Sequence, residues 1–282
     1  MTVTSASALV AALLAAHPGD TIELAPGRYL APPGGFVVSH ALLVEGPHPS
    51  LDRMQAGAII VPASPDDHAV VVTSRNVTLK NLMVRGVERP GKGDGIHIEL
   101  AETGACVRLE DCMVWGAGWD GISAIGPKGG SIDELRIVRC ISHRNGGSGI
   151  RIRGCYGPSI EHAYCARNAQ AGVSVEYSDG ALLLDVAAEG NPVQVVVQGG
   201  TSQTVLAPKI ENFATGVSMR GVLGGTIQGG AFLNPKKEGT SIELIGCKSC
   251  WIGLNTHRHV ARMVVQDDAC SAIDVARQAE EP

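Results

Sequence analysis

Aromatic residues are scarce: Phe, Tyr and Trp together make up 4% of the 282 residues. The core must therefore come from many small aliphatic contacts and not from large rings. Basic residues are also few, 23 against 28 acidic, giving a net charge of −5. That excludes a general attraction to nucleic acid or an anionic membrane and leaves any anion to a local patch. Long apolar runs are missing too. The opening MTVTSASALVAALLAAHPGD contains LVAALLAA, which is too short to span a bilayer, and no Lys or Arg precedes it as a secretory signal requires. The expectation is a soluble, cytoplasmic protein with neither nucleic acid nor membrane as partner, able to oligomerise. Its eight cysteines are expected to be reduced.

Glycine is abundant, with 36 residues, and Val, Ile and Ala supply most of a 44% hydrophobic content. Such a composition suits short strands joined by turns. Gly95-Ile-His-Ile, Gly121-Ile-Ser-Ala, Gly149-Ile-Arg-Ile, Gly172-Val-Ser-Val and Gly216-Val-Ser-Met share one template at separations of 26, 28, 23 and 44. The last is two periods of 22, with Pro192-Val-Gln-Val in the gap, and the period is that of one coil of a solenoid. The register extends back to Ala69-Val-Val-Val and Gly35-Phe-Val-Val and forward to Ser241-Ile-Glu-Leu, predicting about 8–9 coils. A second strand set, in NVTLKNLMV, CVRLEDCMV, ELRIVRCIS, SIEHAYCA and ALLLDVA, completes each coil. Within it Cys112, Cys140 and Cys165 are expected to stack inside as small apolar groups. Asn145, Asn168 and Asn212 each stand four residues before a template glycine and predict a ladder of hydrogen-bonded side chains.

The predicted fold class is all-β, a right-handed parallel β-helix forming one domain over residues 1–282. Residues 1–20 carry a helix with Leu9, Leu13 and Leu14 at helical spacing, which caps the open end of the stack. Coils occupy 21–275, beginning with the strand Thr21–Leu24, and 276–282 is a polar tail expected to fray. The segment ALVAALLAAHPGDTIELAPGRY followed by Gly-Ile/Val coils resembles the pectin lyase-like β-helix superfamily over nearly the whole chain. That superfamily includes pectate, alginate and chondroitin lyases, polygalacturonases, mannuronan epimerases and phage tailspikes. The resemblance implies the fold and a substrate-binding face along one sheet, but one scaffold hosts many chemistries. Of the polygalacturonase set Asn-Thr-Asp, Asp-Asp, Gly-His-Gly and Arg-Ile-Lys only GDG, WDG, GSG and RIR appear, and the epimerase Asp-Pro-His is absent. The acidic cluster that pectate lyases use for Ca²⁺ has no equivalent, so neither a metal nor another cofactor is implied.

Strand alternation turns the residue after each template glycine inward and the next outward. The outward ladder reads His97 and Glu99, Ser123, Arg151 and Arg153, Ser174 and Glu176, Gln194, Ser218 and Arg220, and Glu243. His97, near Asp94 and Glu99, is the candidate base. Asp94 and Asp120 precede template glycines in neighbouring coils. They read either as a carboxylate pair ~5 Å apart for acid–base work or as turn residues bonding their own backbone. Arg151 and Arg153 read as a clamp for a carboxylate, or, for Arg153, as an ion-pair partner of Glu176 one coil on. The loops ERPGKGDG and WGAGWDG place Lys92, Trp115 and Trp119 beside His97 as a platform for a sugar ring, with Tyr156 and Tyr177 on the far side. The bland reading is that these aromatics cover loops or an oligomer contact. The candidate catalytic set is thus His97, Asp94, Asp120 and Arg151. The candidate binding set is Glu99, Lys92, Trp115, Trp119, Ser123, Arg153, Ser174, Glu176 and Tyr177.

Three motifs are set aside. Gly86–Gly93 approaches a P-loop, but its last position is Gly and a strand follows where a helix is needed. Cys247-Lys-Ser-Cys250 lacks a second ligand pair, and His257-Arg-His259 reads as a surface stretch. The function expected is an enzyme acting on an oligosaccharide or uronate by lyase, epimerase or hydrolase chemistry. The alternatives are an intracellular isomerase or cyclase of a small metabolite and a non-catalytic binding module.

Overall fold

Residues 1–47 and 57–281 are described in the structure, a computed structural model. In the strand Ile96–Glu99, Ile96 and Ile98 are fully buried, and Ile122 with Ala124, Ile150 with Ile152 and Val173 with Val175 repeat the pattern coil by coil. One face of each short strand is therefore apolar. Burying it requires the chain to close on itself, and it does so through three long parallel sheets of 12, 11 and 10 strands. The first sheet begins with Thr2–Val3 and Thr21–Leu24, the second with Gly27–Leu30 and the third with Phe36–Val38. A short fourth sheet joins Gly104–Ala105, Ile132–Asp133 and Cys155–Tyr156. The stack makes about 12 turns, more than the expected 8–9, because the terminal turns have no template glycine. Arg262–Gln266, for example, pairs with Thr240–Ile245 as the last strand of the third sheet.

The template glycine is a matter of space. A Cβ on Gly121 would come within 2.7 Å of the Gly149 carbonyl oxygen and 2.6 Å of Asn145 Nδ2, and one on Gly149 within 2.6 Å of the Gly172 carbonyl oxygen. Between the first and second sheets the chain turns on one left-handed residue per coil: Asn81, Asp111, Arg139, His162, Asp185, Ala207 and Gly229. Ala207, at φ +49°, lacks a polar side chain to support that conformation. We expect Ala207→Gly to raise unfolding stability by about 0.5–1 kcal/mol in urea titrations, the relief of strain outweighing the entropy of the new glycine.

The helix Ala6–Ala15 starts at the N-cap Ser5, whose Oγ accepts from the Ala8 N–H at 3.2 Å. It packs Leu9, Ala12 and Leu13 onto the first turn and leaves Leu14 exposed, so Ala12 takes the place expected of Leu14. At the other end Ala279–Glu281 pairs with Thr256–Arg258, and the segment expected to fray adds a strand.

Coil length explains the other departures. Gln194 stands in the template-glycine position, fully buried, because Val173 pairs with Val195 and Ser174 with Val196; Val196 is the outward residue of that turn. The asparagine ladder runs through Asn145, Asn168 and Asn191, while Asn212 lies exposed at a left-handed corner and Phe213 turns inward. Cys112 and Cys140 share a column, whereas Cys165 is two positions on, in register with Ser142. His257 is buried and stacks on Phe232 at 5.2 Å, so of the His257–His259 stretch only Arg258 and His259 reach the surface.

Candidate functional site

The site grows from one register position. His68, Asp94, Asp120 and Ser148 each precede the template position of consecutive turns. The main-chain N–H of Asp94 donates to His68 Nδ1 at 2.9 Å, that of Asp120 to Asp94 Oδ1 at 2.9 Å, and that of Ser148 to Asp120 Oδ1 at 2.6 Å. One atom of each of the His68, Asp94 and Asp120 side chains thus supports the next turn. Each carboxylate therefore bonds the backbone of the following turn and not, as the turn reading expected, its own.

Asp94 Oδ2 accepts from Ser123 Oγ at 2.5 Å and lies 2.8 Å from His97 Nδ1, itself 2.7 Å from Ser123 Oγ. On the far edge of the ring Nε2 faces Glu99 Oε2 at 3.3 Å. His97 points outward but is only 8% exposed, because the His68 ring stacks on it with centroids 4.2 Å apart and planes 15° apart. Burial pushes the His97 pKa down, but the hydrogen bonds and charges of Asp94 and Glu99 outweigh it, and the net shift is upward. His68 goes the other way: burial and the neighbouring His97 lower its pKa against the pull of Asp94, Asp67 and Glu99.

The network continues through Asp120, which is 2% exposed. Burial, with the Asp94 charge adding to it, pushes its pKa up to about 7, against the lowering effects of the Ser148 N–H and Arg151. Arg151 NH1 lies 3.8 Å from Asp120 Oδ2, while its Nε and NH2 hold Glu176 Oε1 and Oε2 at 2.9 and 3.0 Å. The ion pair with Glu176 is therefore made by Arg151 and not by Arg153, whose guanidinium lies over the Tyr177 ring at 5.4 Å. Ser174 is buried and donates to Glu176 Oε1 at 3.2 Å, and Tyr177 Oη accepts from Gln198 Nε2 at 2.9 Å.

The loop residues divide. Trp119 is 37% exposed and adjoins Asp120, but Trp115 belongs to the second sheet, in register with Arg85 and His143 and flanked by the Arg85 and Arg144 guanidinium groups. Trp115 is therefore not beside His97 as expected. Lys92 has an exposed side chain, and its N–H donates to Asp66 Oδ1 at 3.0 Å. A cavity of about 720 Å³ opens on the second-sheet side of these loops, lined by Arg28, Arg85 and Arg89, and contains none of the residues around His97. His68 was missed by sequence reasoning, although its 26-residue spacing from Asp94 repeats the spacing of Asp94 from Asp120.

His68, Asp94 and His97 offer metal-ligating atoms within 4.8 Å of one another. Their arrangement does not fit one cation. Ligand lone pairs lie in the imidazole planes, the two planes are nearly parallel, and His68 Nδ1 already receives the Asp94 N–H. Bonding both rings at roughly 2.1 Å would require them to turn.

The chain belongs to the right-handed β-helix family: the family described as "Right handed beta helix region" matches residues 68–191 and 94–247. Among solved structures it is similar to the A-module of a mannuronan C-5 epimerase from Azotobacter vinelandii (TM-score 0.69, 14% identity, 98% of this chain and 92% of that one). It is also similar to DFA-IIIase from Arthrobacter chlorophenolicus A6 without its lid (0.61, 14%, 98% and 92%). A polygalacturonase from Erwinia carotovora ssp. carotovora gives 0.62 at 9% identity, with 97% and 96% covered. No curated protein sequence matches the chain. Among the described residues no helix is long and apolar enough to cross a membrane.

Asp120 also makes a stability prediction. Its folded pKa, about 7, lies above the unfolded value near 3.9, so the protein is relatively most stable below pH ~4 and loses stability as pH rises towards 7. Asp120→Asn keeps an Oδ1 acceptor for the Ser148 N–H and removes the buried charge. Melting curves should show the variant gaining on wild type between pH 4 and 8; an equal difference at both ends would mean that Asp120 does not titrate in this range.

Proposed function

We propose that the protein is an enzyme acting on a carbohydrate, uronates foremost, with its acid–base centre at Asp94, His97, Asp120 and Arg151. The observation that supports this reading best is the coexistence, in one buried network reaching the surface, of a carboxyl pushed up to about 7 and a histidine shifted upward. A carboxyl that titrates near neutrality beside a proton-exchanging histidine is what bond cleavage or epimerisation of a sugar requires. The named structural neighbours, an epimerase and a polygalacturonase, favour the same class.

In this reading His97 exchanges the proton with substrate. Asp94 holds its Nδ1–H, and Ser123 braces both. Asp120 is the second titrating group, and Arg151, anchored by Glu176, supplies positive charge where a uronate carboxylate gathers electrons as the neighbouring carbon loses its proton. Glu99, Ser174, Arg153, Tyr177, Trp119 and Lys92 are the proposed substrate contacts flanking this centre. Trp115 is dropped from that set.

The test is incubation with pectate, alginate, chondroitin and their oligomers, read by mass spectrometry, ultraviolet absorbance and NMR. Unsaturated products indicate a lyase, altered uronate ratios an epimerase, and new reducing ends a hydrolase. Binding without turnover would move the reading to a carbohydrate-binding module, and neither binding nor turnover would sink it. For an active enzyme, the rate limb near pH 7 should disappear in Asp120→Asn.

A further inference from the structure

We infer that His68 is a neutral N–H donor to substrate, fixed in the Nε2–H form by the backbone of the next turn. This rests on the proposed carbohydrate chemistry and adds a residue to it. The Asp94 main-chain N–H points at His68 Nδ1 across 2.9 Å. Only a lone pair can receive it, so Nδ1 carries no proton and the neutral ring must carry its proton on Nε2.

Orientation follows from the shared carboxylate. Asp94 Oδ2 is 3.6 Å from His68 Nδ1 and 2.8 Å from His97 Nδ1, and the rings are stacked. The Nε2 edges of both rings therefore turn away from Asp94 to the same side, where Glu99 faces His97. His68 Nε2 meets no hydrogen-bonding partner among the described residues, and its side chain is 30% exposed. A donor with a fixed tautomer and no partner thus stands beside the group proposed to move the proton.

A second proton on His68 would set its N–H against the Asp94 N–H. Burial and the His97 charge also oppose it, while Asp94, Asp67 and Glu99 favour it, and the net effect lowers the pKa. The ring is then neither base nor imidazolium near neutrality. Its chemistry is that of an electrophile: the Nε2–H bonds an oxygen that becomes negative as the neighbouring carbon loses its proton, namely a carboxylate or carbonyl. Proton transfer stays with His97, so no charge is created on His68.

Long-range ¹H–¹⁵N correlation spectra of protein labelled at histidine test the tautomer without any substrate. His68 should show an unprotonated Nδ1 and a protonated Nε2 from pH 7 to 9, and should take up a second proton only at lower pH than His97 does. A protonated Nδ1 in that range, or a mixture that follows His97, overturns the inference even if the enzyme is active. Titration with oligogalacturonate and oligomannuronate tests the contact: the His68 Nε2–H resonance should shift and saturate, and absence of a shift at saturation overturns it. In an active enzyme His68→Asn keeps an acceptor for the Asp94 N–H but its amide N–H falls short of the position of the ring Nε2–H. It should lower kcat by about 10²-fold without moving the pH limbs, with partial recovery in His68→Gln, whose Nε2 amide restores the donor. Wild-type kcat in His68→Asn would overturn the inference. Failure of turnover in the wild type would strike the function and leave the tautomer and the uronate shift as independent readings.

Discussion

His97→Gln is expected to lower turnover by about 10²–10⁴-fold, the usual contribution of a positioned proton-transfer group. The fold should persist, because His97 projects outward from the third sheet and the inward residues of its strand are Ile96 and Ile98. Glutamine places an amide near the Nε2 position that faces Glu99 and removes both the titrating proton and the Nδ1 bond to Asp94. The stability of the variant carries a further signature. The folded pKa of His97 is raised above the unfolded value near 6.5, so its pairing with Asp94 and Glu99 stabilises the wild type fully below that pH. The contribution is lost as pH rises through the folded pKa. Urea titrations of both proteins should therefore differ most at acid pH and converge in alkali. Unchanged turnover in His97→Gln, on a substrate the wild type converts, would remove His97 from the chemistry.

The largest loss of stability is expected from Asn168→Ala. Asn168 Oδ1 accepts from the Asn145 N–H at 3.1 Å and from Asn145 Nδ2 at 2.8 Å. Its own Nδ2 donates to the Ser142 carbonyl at 3.2 Å and to Asn191 Oδ1 at 3.0 Å. All three asparagines are buried, so removing the middle amide takes the acceptor from two Asn145 donors, its main-chain N–H and its Nδ2, with no solvent to replace it, while Asn191 Oδ1 keeps the Asn168 main-chain N–H. At about 1–3 kcal/mol for each buried group left unsatisfied, the total is about 2–5 kcal/mol. Chemical denaturation measures it directly. Asn212→Ala is the control: Asn212 is an exposed corner residue outside the ladder, and its loss should cost far less. Equal losses at the two positions would mean that the ladder does not act as a connected unit.

Much of the architecture was legible because it is local. Glycine marks the position where the next turn's carbonyl leaves no space for a Cβ, and the residues after it alternate with the pleat. Hence Ile96 inside and His97 outside follow from sequence alone, as does the register of Asp94 with Asp120. Reading failed where a coil changed length. The turn holding Asn191 has only three residues before Gln194 where its predecessors have four before a glycine, so the template slipped and the wrong asparagine joined the ladder. Trp115 was misplaced for a related reason: the bend between the second and third sheets falls just after it, at Gly116, where φ is +69°.

The sequence by itself therefore determined the solenoid, its inward and outward columns and the candidate residues along a single strand, since each depends on a period of two within strands and about 25 between them. Only the tertiary structure decided which side chains meet across turns: that His68 lies on His97, that Arg151 and not Arg153 holds Glu176, and that burial lifts Asp120 to about 7. These facts depend on side-chain direction and on how completely neighbouring turns exclude water, and both are set by the stacking of segments more than 20 residues apart.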